Sequence, residues 1–194
     1  DQPRSRGLGD VYKRQVKDYT AFNPEFGTIE QFKDVVKQAH DLGMKVILDW
    51  VPNHSGCDNA WVTEHPDWYA KDSLGNMYGP YDWTDVYKFD YSNKDMRAAM
   101  VDAFKFWLTE VGVDGFRCDV AMEVPTDFWD ETRPRLDSIK PVFMLAEASK
   151  PEIQKNGFDA GYNWPMKDLF SEIAATAGQY TCLLYTSPSP RDRG

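Results

Sequence analysis

The sequence predicts an α/β fold built on a parallel sheet. Two observations carry this. A helical stripe followed by a short, β-branched, apolar run occurs three times along the chain, which is the rhythm of strands alternating with helices. The runs are near-continuously apolar, as strands buried on both faces are. A third observation places function on that frame: each run ends in polar side chains with chemistry to offer.

The first unit opens at Thr28-Ile29-Glu30-Gln31, a capping-box pattern. Ile29, Phe32, Val35, Val36, Ala39 and Leu42 follow with helical spacing, and Gly43 supplies a stop. Residues 44–51 then read as a buried strand. In the second unit Met96, Ala99, Met100, Ala103, Trp107, Leu108 and Val111 form the stripe, Gly112 ends it, and residues 113–118 form a short strand. The third runs from Thr126 through Phe128, Trp129 and Leu136, and Pro141 introduces a strand over 142–146. About forty residues separate the first strand from the second helix, and loops that long are usually functional. Residues 55–92 hold nine Trp, Tyr and Phe side chains. Such rings can stack on the apolar faces of sugars, but more than half are expected to form the insertion's own core.

The strand ends read Leu48-Asp49-Trp50-Val51-Pro52-Asn53-His54, Phe116-Arg117-Cys118-Asp119 and Leu145-Ala146-Glu147. In a barrel of alternating strands and helices, such ends converge on one mouth. A doubly wound sheet would also gather them, but it usually carries a Gly-rich phosphate loop, and none is present. Alternation puts Arg117 and Asp119 on one strand face, where the guanidinium is expected to keep Asp119 ionised. Glu147 follows five apolar residues, and burial favours the acid form of a carboxyl group. One carboxylate to attack the anomeric carbon and one carboxylic acid to protonate the leaving oxygen suit glycoside hydrolysis.

These segments resemble the α-amylase family of glycoside hydrolases. Asp49-Trp50-Val51-Pro52-Asn53-His54 is similar to the family's first signature, and Gly112-Val113-Asp114-Gly115-Phe116-Arg117-Cys118-Asp119 to its second. Leu145-Ala146-Glu147 sits where the third falls, and residues 17–28 resemble the lead-in to the second barrel helix. The resemblance covers 16–181. It implies a partial TIM (β/α)8 barrel, about strands 2–5, with a small domain B at 55–92. It further implies Asp119 as nucleophile, Glu147 as acid/base, and Arg117 and His54 as substrate-binding residues. Asp49 looks structural. No cofactor is required for the chemistry; calcium is possible, with Asn53 as a ligand. The implied partner is an α-linked oligosaccharide or polysaccharide. Asn53-His54-Ser55 also forms an N-glycosylation sequon, read as accidental because a glycan there would block the mouth.

Many starch-cleaving members carry Lys and His where this chain has Met122 and Glu123. That departure points away from a standard endo-amylase and leaves a smaller-substrate glucosidase or a transglycosylase open. The fourth signature, Asn-His-Asp, is expected beyond residue 181, so the chain alone is expected to be inactive and poorly soluble. A non-enzymatic amylase-like binding module is the alternative from another class.

The two ends read differently. A codon choice for residues 182–192 yields, as its reverse complement, residues 5–14. One DNA element, a sequencing-library adapter, is therefore expected to flank the insert in opposite orientations, giving 1–15 and 182–194 as adapter-derived. The whole chain carries a net charge of −9, and removing six of its 22 basic and three of its 31 acidic residues leaves −12. Nucleic acid and anionic membrane are poor partners for such a charge. Cys57 and Cys118, the cysteines left, have no metal-type spacing and read as free thiols.

Overall fold

The computed structural model describes residues 15–176. The segments read as adapter-derived, 1–15 and 182–194, lie outside the described residues except for Gln15. The described residues fall into two units that divide after Gly161.

The first unit begins with α1 (Ile29–Asp41), which starts where the capping box places it. The Gln31 amide N–H donates to the Thr28 hydroxyl at 3.2 Å, and the Thr28 N–H donates to the Gln31 side chain at 2.8 Å. Two of the helix's orphan donors are thereby satisfied. The expected apolar stripe is only partly covered: Val36 is buried and Phe32 packs edge-on against Trp107, whereas Val35 and Leu42 are exposed. Strand β1 (Ile47–Trp50) follows.

The long connection has structure of its own. It comprises β2 (His54–Gly56), α2 (Ala60–Glu64) and β3 (Val86–Lys88), with β2 and β3 paired antiparallel. Of its nine large aromatics, Trp68, Tyr69, Phe89 and Tyr91 are buried and Trp61 and Tyr87 pack against them; Tyr78, Tyr81 and Trp83 are exposed. Helix α3 (Lys94–Phe106) is extended by one π turn, Trp107–Val111. It stops at Gly112, whose φ of 82° is a backbone that glycine adopts without strain.

Strands β4 (Gly115–Cys118), β5 (Phe143–Ala146) and β6 (Ala160–Gly161) complete a four-stranded sheet in the order β1-β4-β5-β6, parallel throughout. Helix α4 (Thr126–Asp137) links β4 to β5. The strand inventory differs from the expected second to fifth at both ends. No strand precedes Ile47 among the described residues, and β6 adds one after the last strand expected.

Side chains alternate across this sheet as strand geometry requires. Trp50, Phe116, Cys118, Met144 and Ala146 point to the helices and are buried. The Trp50 and Phe116 rings lie 4.6 Å and 4.7 Å from that of Phe104 on α3. Odd-numbered residues point the other way, where Ile47 and Phe143 are exposed. Gly115 is on this odd face, and a Cβ there would collide with the Phe143 carbonyl, so no side chain is tolerated. In the second unit α5 (Trp164–Ala175) is capped by Asn163, whose side chain accepts the Met166 N–H at 3.0 Å. No helix among the described residues is long and apolar enough to cross a membrane.

Candidate active site

Register brings the strand-end residues together. Asp49 is opposite Arg117, and Arg117 is opposite Leu145. Two residues further along, the Asp119 N–H donates to the Trp50 carbonyl and the Glu147 N–H to the Cys118 carbonyl. Asp49, Arg117, Asp119 and Glu147 are all odd-numbered, so period-two alternation sends all four to the same face of the sheet.

Arg117 is the hub. Its Nη1 lies 2.7 Å from Asp49 Oδ1 and 2.9 Å from Asp119 Oδ1, and its Nη2 lies 2.8 Å from Glu147 Oε2. The planar fork of a guanidinium can reach several carboxylates at once, which an ammonium could not do in fixed geometry. Glu147 Oε2 also accepts the Val120 backbone N–H at 3.1 Å. Val120 presents that amide from a left-handed turn, φ 47° and ψ 37°, a conformation that costs a β-branched residue about 1–3 kcal/mol. Sequence reasoning missed this donor; a turn that must reverse immediately after Asp119 was the signal available.

One cation among three carboxylates leaves negative charge uncompensated. Burial pushes the Asp119 carboxyl up, the hydrogen bond and charge of Glu147 push it further, and Arg117 opposes them; it is held at about 6. Arg117 does pull Asp119 toward the ionised form, as its place on the strand face leads one to expect, but burial and Glu147 outweigh it, and the sequence shows neither.

His54 is buried on β2, with its ring centroid 5.2 Å from that of Trp83 and its Nδ1 3.5 Å from the Asn53 amide nitrogen. Burial lowers it to about 4, against a smaller upward pull from Asp85, so the imidazole is neutral at pH 7 and offers one donor and one acceptor. Tyr19 sets the loop that carries it. The Tyr19 hydroxyl lies 2.7 Å from the Val51 carbonyl and 2.8 Å from that of His54, and the Trp107 indole donates to the Tyr19 carbonyl at 2.7 Å. Asn53 is buried, which agrees with reading the sequon as accidental. Cys57 and Cys118 are free, and burial pushes the Cys118 thiol up, away from reactivity.

Fold and strand-end cluster together define a parallel α/β protein with a carboxylate-rich site at the C-terminal ends of its strands. The chain belongs to the α-amylase catalytic domain family, which it matches over residues 9–88 and 64–155. It is 30% identical over 181 residues to an intracellular maltogenic amylase of Bacillus subtilis, covering 84% of this chain and 31% of that protein. It is 29% identical over 177 residues to a cyclomaltodextrinase of Geobacillus thermopakistaniensis, covering 81% of this chain and 30% of that one. Among solved structures, the maltogenic α-amylase AmyB from Thermotoga neapolitana matches with a TM-score of 0.76 at 38% identity, over 82% of this chain and 37% of that chain. An α-amylase from Lactobacillus plantarum matches with a TM-score of 0.81 at 33% identity, over 91% and 45%. The chain thus spans about a third of the length of the curated relatives it matches, and its sheet is part of a (β/α)8 barrel wall.

Calcium needs six to eight oxygens. Asn53 Oδ1 is buried with no hydrogen-bond partner among the described residues and could supply one. No group of three or more His, Cys, Asp or Glu side chains gathers as a metal site among the described residues.

Proposed function

We propose that this chain is the central section of a retaining glycosidase that cleaves α-glucosidic bonds in α-glucans and their oligosaccharides. The observation that carries the reading is Arg117 joining Asp49, Asp119 and Glu147 on one strand-end face. The relatives' names, maltogenic amylase and cyclomaltodextrinase, supply the substrate class.

Asp119 is the nucleophile. Its carboxylate oxygen bonds to the anomeric carbon as the glycosidic C–O bond breaks, and the leaving oxygen takes a proton from Glu147. Water then gives one of its own protons to Glu147 while its oxygen attacks the anomeric carbon and displaces Asp119. Retaining enzymes hold the two carboxyls about 5–5.5 Å apart, and here one guanidinium bridges them, 2.9 Å from Asp119 Oδ1 and 2.8 Å from Glu147 Oε2. Arg117, paired with both carboxyls, favours the ionised form of Asp119 that attack requires. Arg117 orients the nucleophile, and neutral His54 hydrogen-bonds the sugar. No step requires a metal or cofactor.

The test is maltotriose hydrolysis by the full-length protein that contains residues 16–181, with the product anomer read by NMR. Release of the α-anomer, abolished in Asp119→Asn, is expected. Absence of hydrolysis by the unmutated protein, or activity surviving in Asp119→Asn, sinks the reading. The 194-residue chain alone is expected to release nothing, because four parallel strands do not close a barrel.

A further inference from the structure

The segment that carries His54 is held by its carbonyls. Val51 and His54 both turn their carbonyl oxygens to the Tyr19 hydroxyl, at 2.7 Å and 2.8 Å. Between them the Pro52 carbonyl accepts the Tyr91 hydroxyl at 2.7 Å, and the Asn53 carbonyl accepts the Phe89 N–H at 3.0 Å. Four successive carbonyls thus find partners outside the segment, and two phenols supply three of those contacts. Residues 52–54 are buried, so an oxygen left without a donor there would carry the full cost of its desolvation. A phenol has one hydrogen to give. Tyr19 therefore shares it between two carbonyls, a three-centre bond that pinches the ends of the segment together.

Both phenols are fixed before they reach the segment. Tyr19 is buried, with its ring stacked on Trp61 at 5.0 Å and tilted against Trp50 at 5.3 Å. Tyr91 is buried with its ring edge-on to Phe128, the centroids 4.9 Å apart. His54 has less to hold it. Among the described residues its imidazole makes one polar contact, with the Asn53 amide nitrogen at 3.5 Å, at the weak limit of a hydrogen bond. The Trp83 ring beside it is itself exposed. The imidazole therefore inherits its direction from its backbone. We propose that Tyr19 and Tyr91 are positioning residues for the sugar contact: their hydroxyls lock residues 51–54 and so aim His54 at the substrate. Both phenols are too deeply buried to meet a sugar themselves. This rests on the glycosidase reading and adds to it two residues outside the strand-end cluster.

The experiment is a double-mutant cycle on the full-length protein, read as maltotriose binding by titration calorimetry in an Asp119→Asn background. Tyr19→Phe, which keeps the ring and removes the hydroxyl, should weaken binding by roughly ten-fold, equivalent to about 1.4 kcal/mol. Tyr91→Phe should weaken it by roughly five-fold, equivalent to about 1 kcal/mol. With His54→Ala already in place, either change should cost less than about two-fold more, since residues that act through one another are not additive. In the unmutated background, maltotriose kinetics should show KM rising in Tyr19→Phe. An equal loss of binding with and without His54 overturns the proposal, because the phenols would then act on the fold alone. Unchanged binding in Tyr19→Phe overturns it too, as does a fall in kcat at constant KM. Should Tyr19→Phe fail to fold, Tyr91→Phe decides by the same cycle. A crystal structure of the folded variant in which residues 51–54 and the His54 ring have not moved overturns it whatever maltotriose does. Hydrolysis absent from the unmutated protein, with binding and its dependence on His54 intact, would strike the glycosidase reading and spare the two tyrosines.

Discussion

At the C-terminal ends of β1 and β4, one guanidinium faces three carboxylates; at the opposite end of β4 the proportions are inverted. There Asp114 faces His40 Nε2 at 2.6 Å, Lys45 Nζ at 3.2 Å and Lys140 Nζ at 3.6 Å, and accepts the Val46 N–H at 2.9 Å. Burial pushes Asp114 up, but the Val46, His40 and Lys45 hydrogen bonds and the Lys140 charge outweigh it and carry it down to about 2. Asp119 is carried the other way, to about 6. Both clusters are assembled by the same strands. The difference is in satisfaction: Asp114 has more partners than it needs and serves the fold, whereas Asp119 shares a single guanidinium with two other acids and is left reactive.

Four measurements would break or sharpen that contrast. Arg117→Ala should lower kcat/KM by about a hundred- to a thousand-fold, as loss of a preorganised charge partner does, with little change in folding seen by circular dichroism. An equal loss on Asp114→Ala would erase the distinction. Next, kcat/KM of the full-length protein should fall as pH drops through about 6, approaching ten-fold per unit, because a protonated Asp119 cannot attack. An acid limb at an ordinary carboxylate value would show that the cluster is better compensated than its geometry implies. Asp114→Ala should destabilise by about 1–3 kcal/mol in urea unfolding, since the partly buried Val46 N–H loses its acceptor. The sign with pH follows from the depressed value. Asp114's contribution is fully present above its ordinary value of 3.8 and is lost as pH falls through about 2. Smallest of all, Lys45→Ala should cost less than about 0.5 kcal/mol, because that lysine side chain is 78% exposed and its ion pair is screened.

Local pattern carried the helices, the capping box at Thr28, and the common face of Arg117 and Asp119, because period and spacing are written along the chain. It did not carry β6: Ala160 and Gly161 make a strand of two residues with no alternation to detect. Nor could it show Glu147 within reach of Asp119, or Tyr81 bonded to Glu123 across 42 positions, since both depend on how distant segments register. The Asp114 cluster left one trace, an acidic residue at the mouth of a strand, which is also what an ordinary turn looks like. α1 is the reverse case. Its apolar stripe was legible, yet Val35 and Leu42 are uncovered, because a stripe states what a helix could bury and not what neighbours it has.

Val120 is an awkward tenant of its turn. Asparagine tolerates a left-handed backbone far better than a β-branched residue does, so a protein carrying it at 120 would withstand heat longer. The bond that Glu147 accepts comes from the backbone N–H, so the change of side chain would leave that donor in place. Durability is therefore available at this one residue without surrendering the contact the turn exists to make.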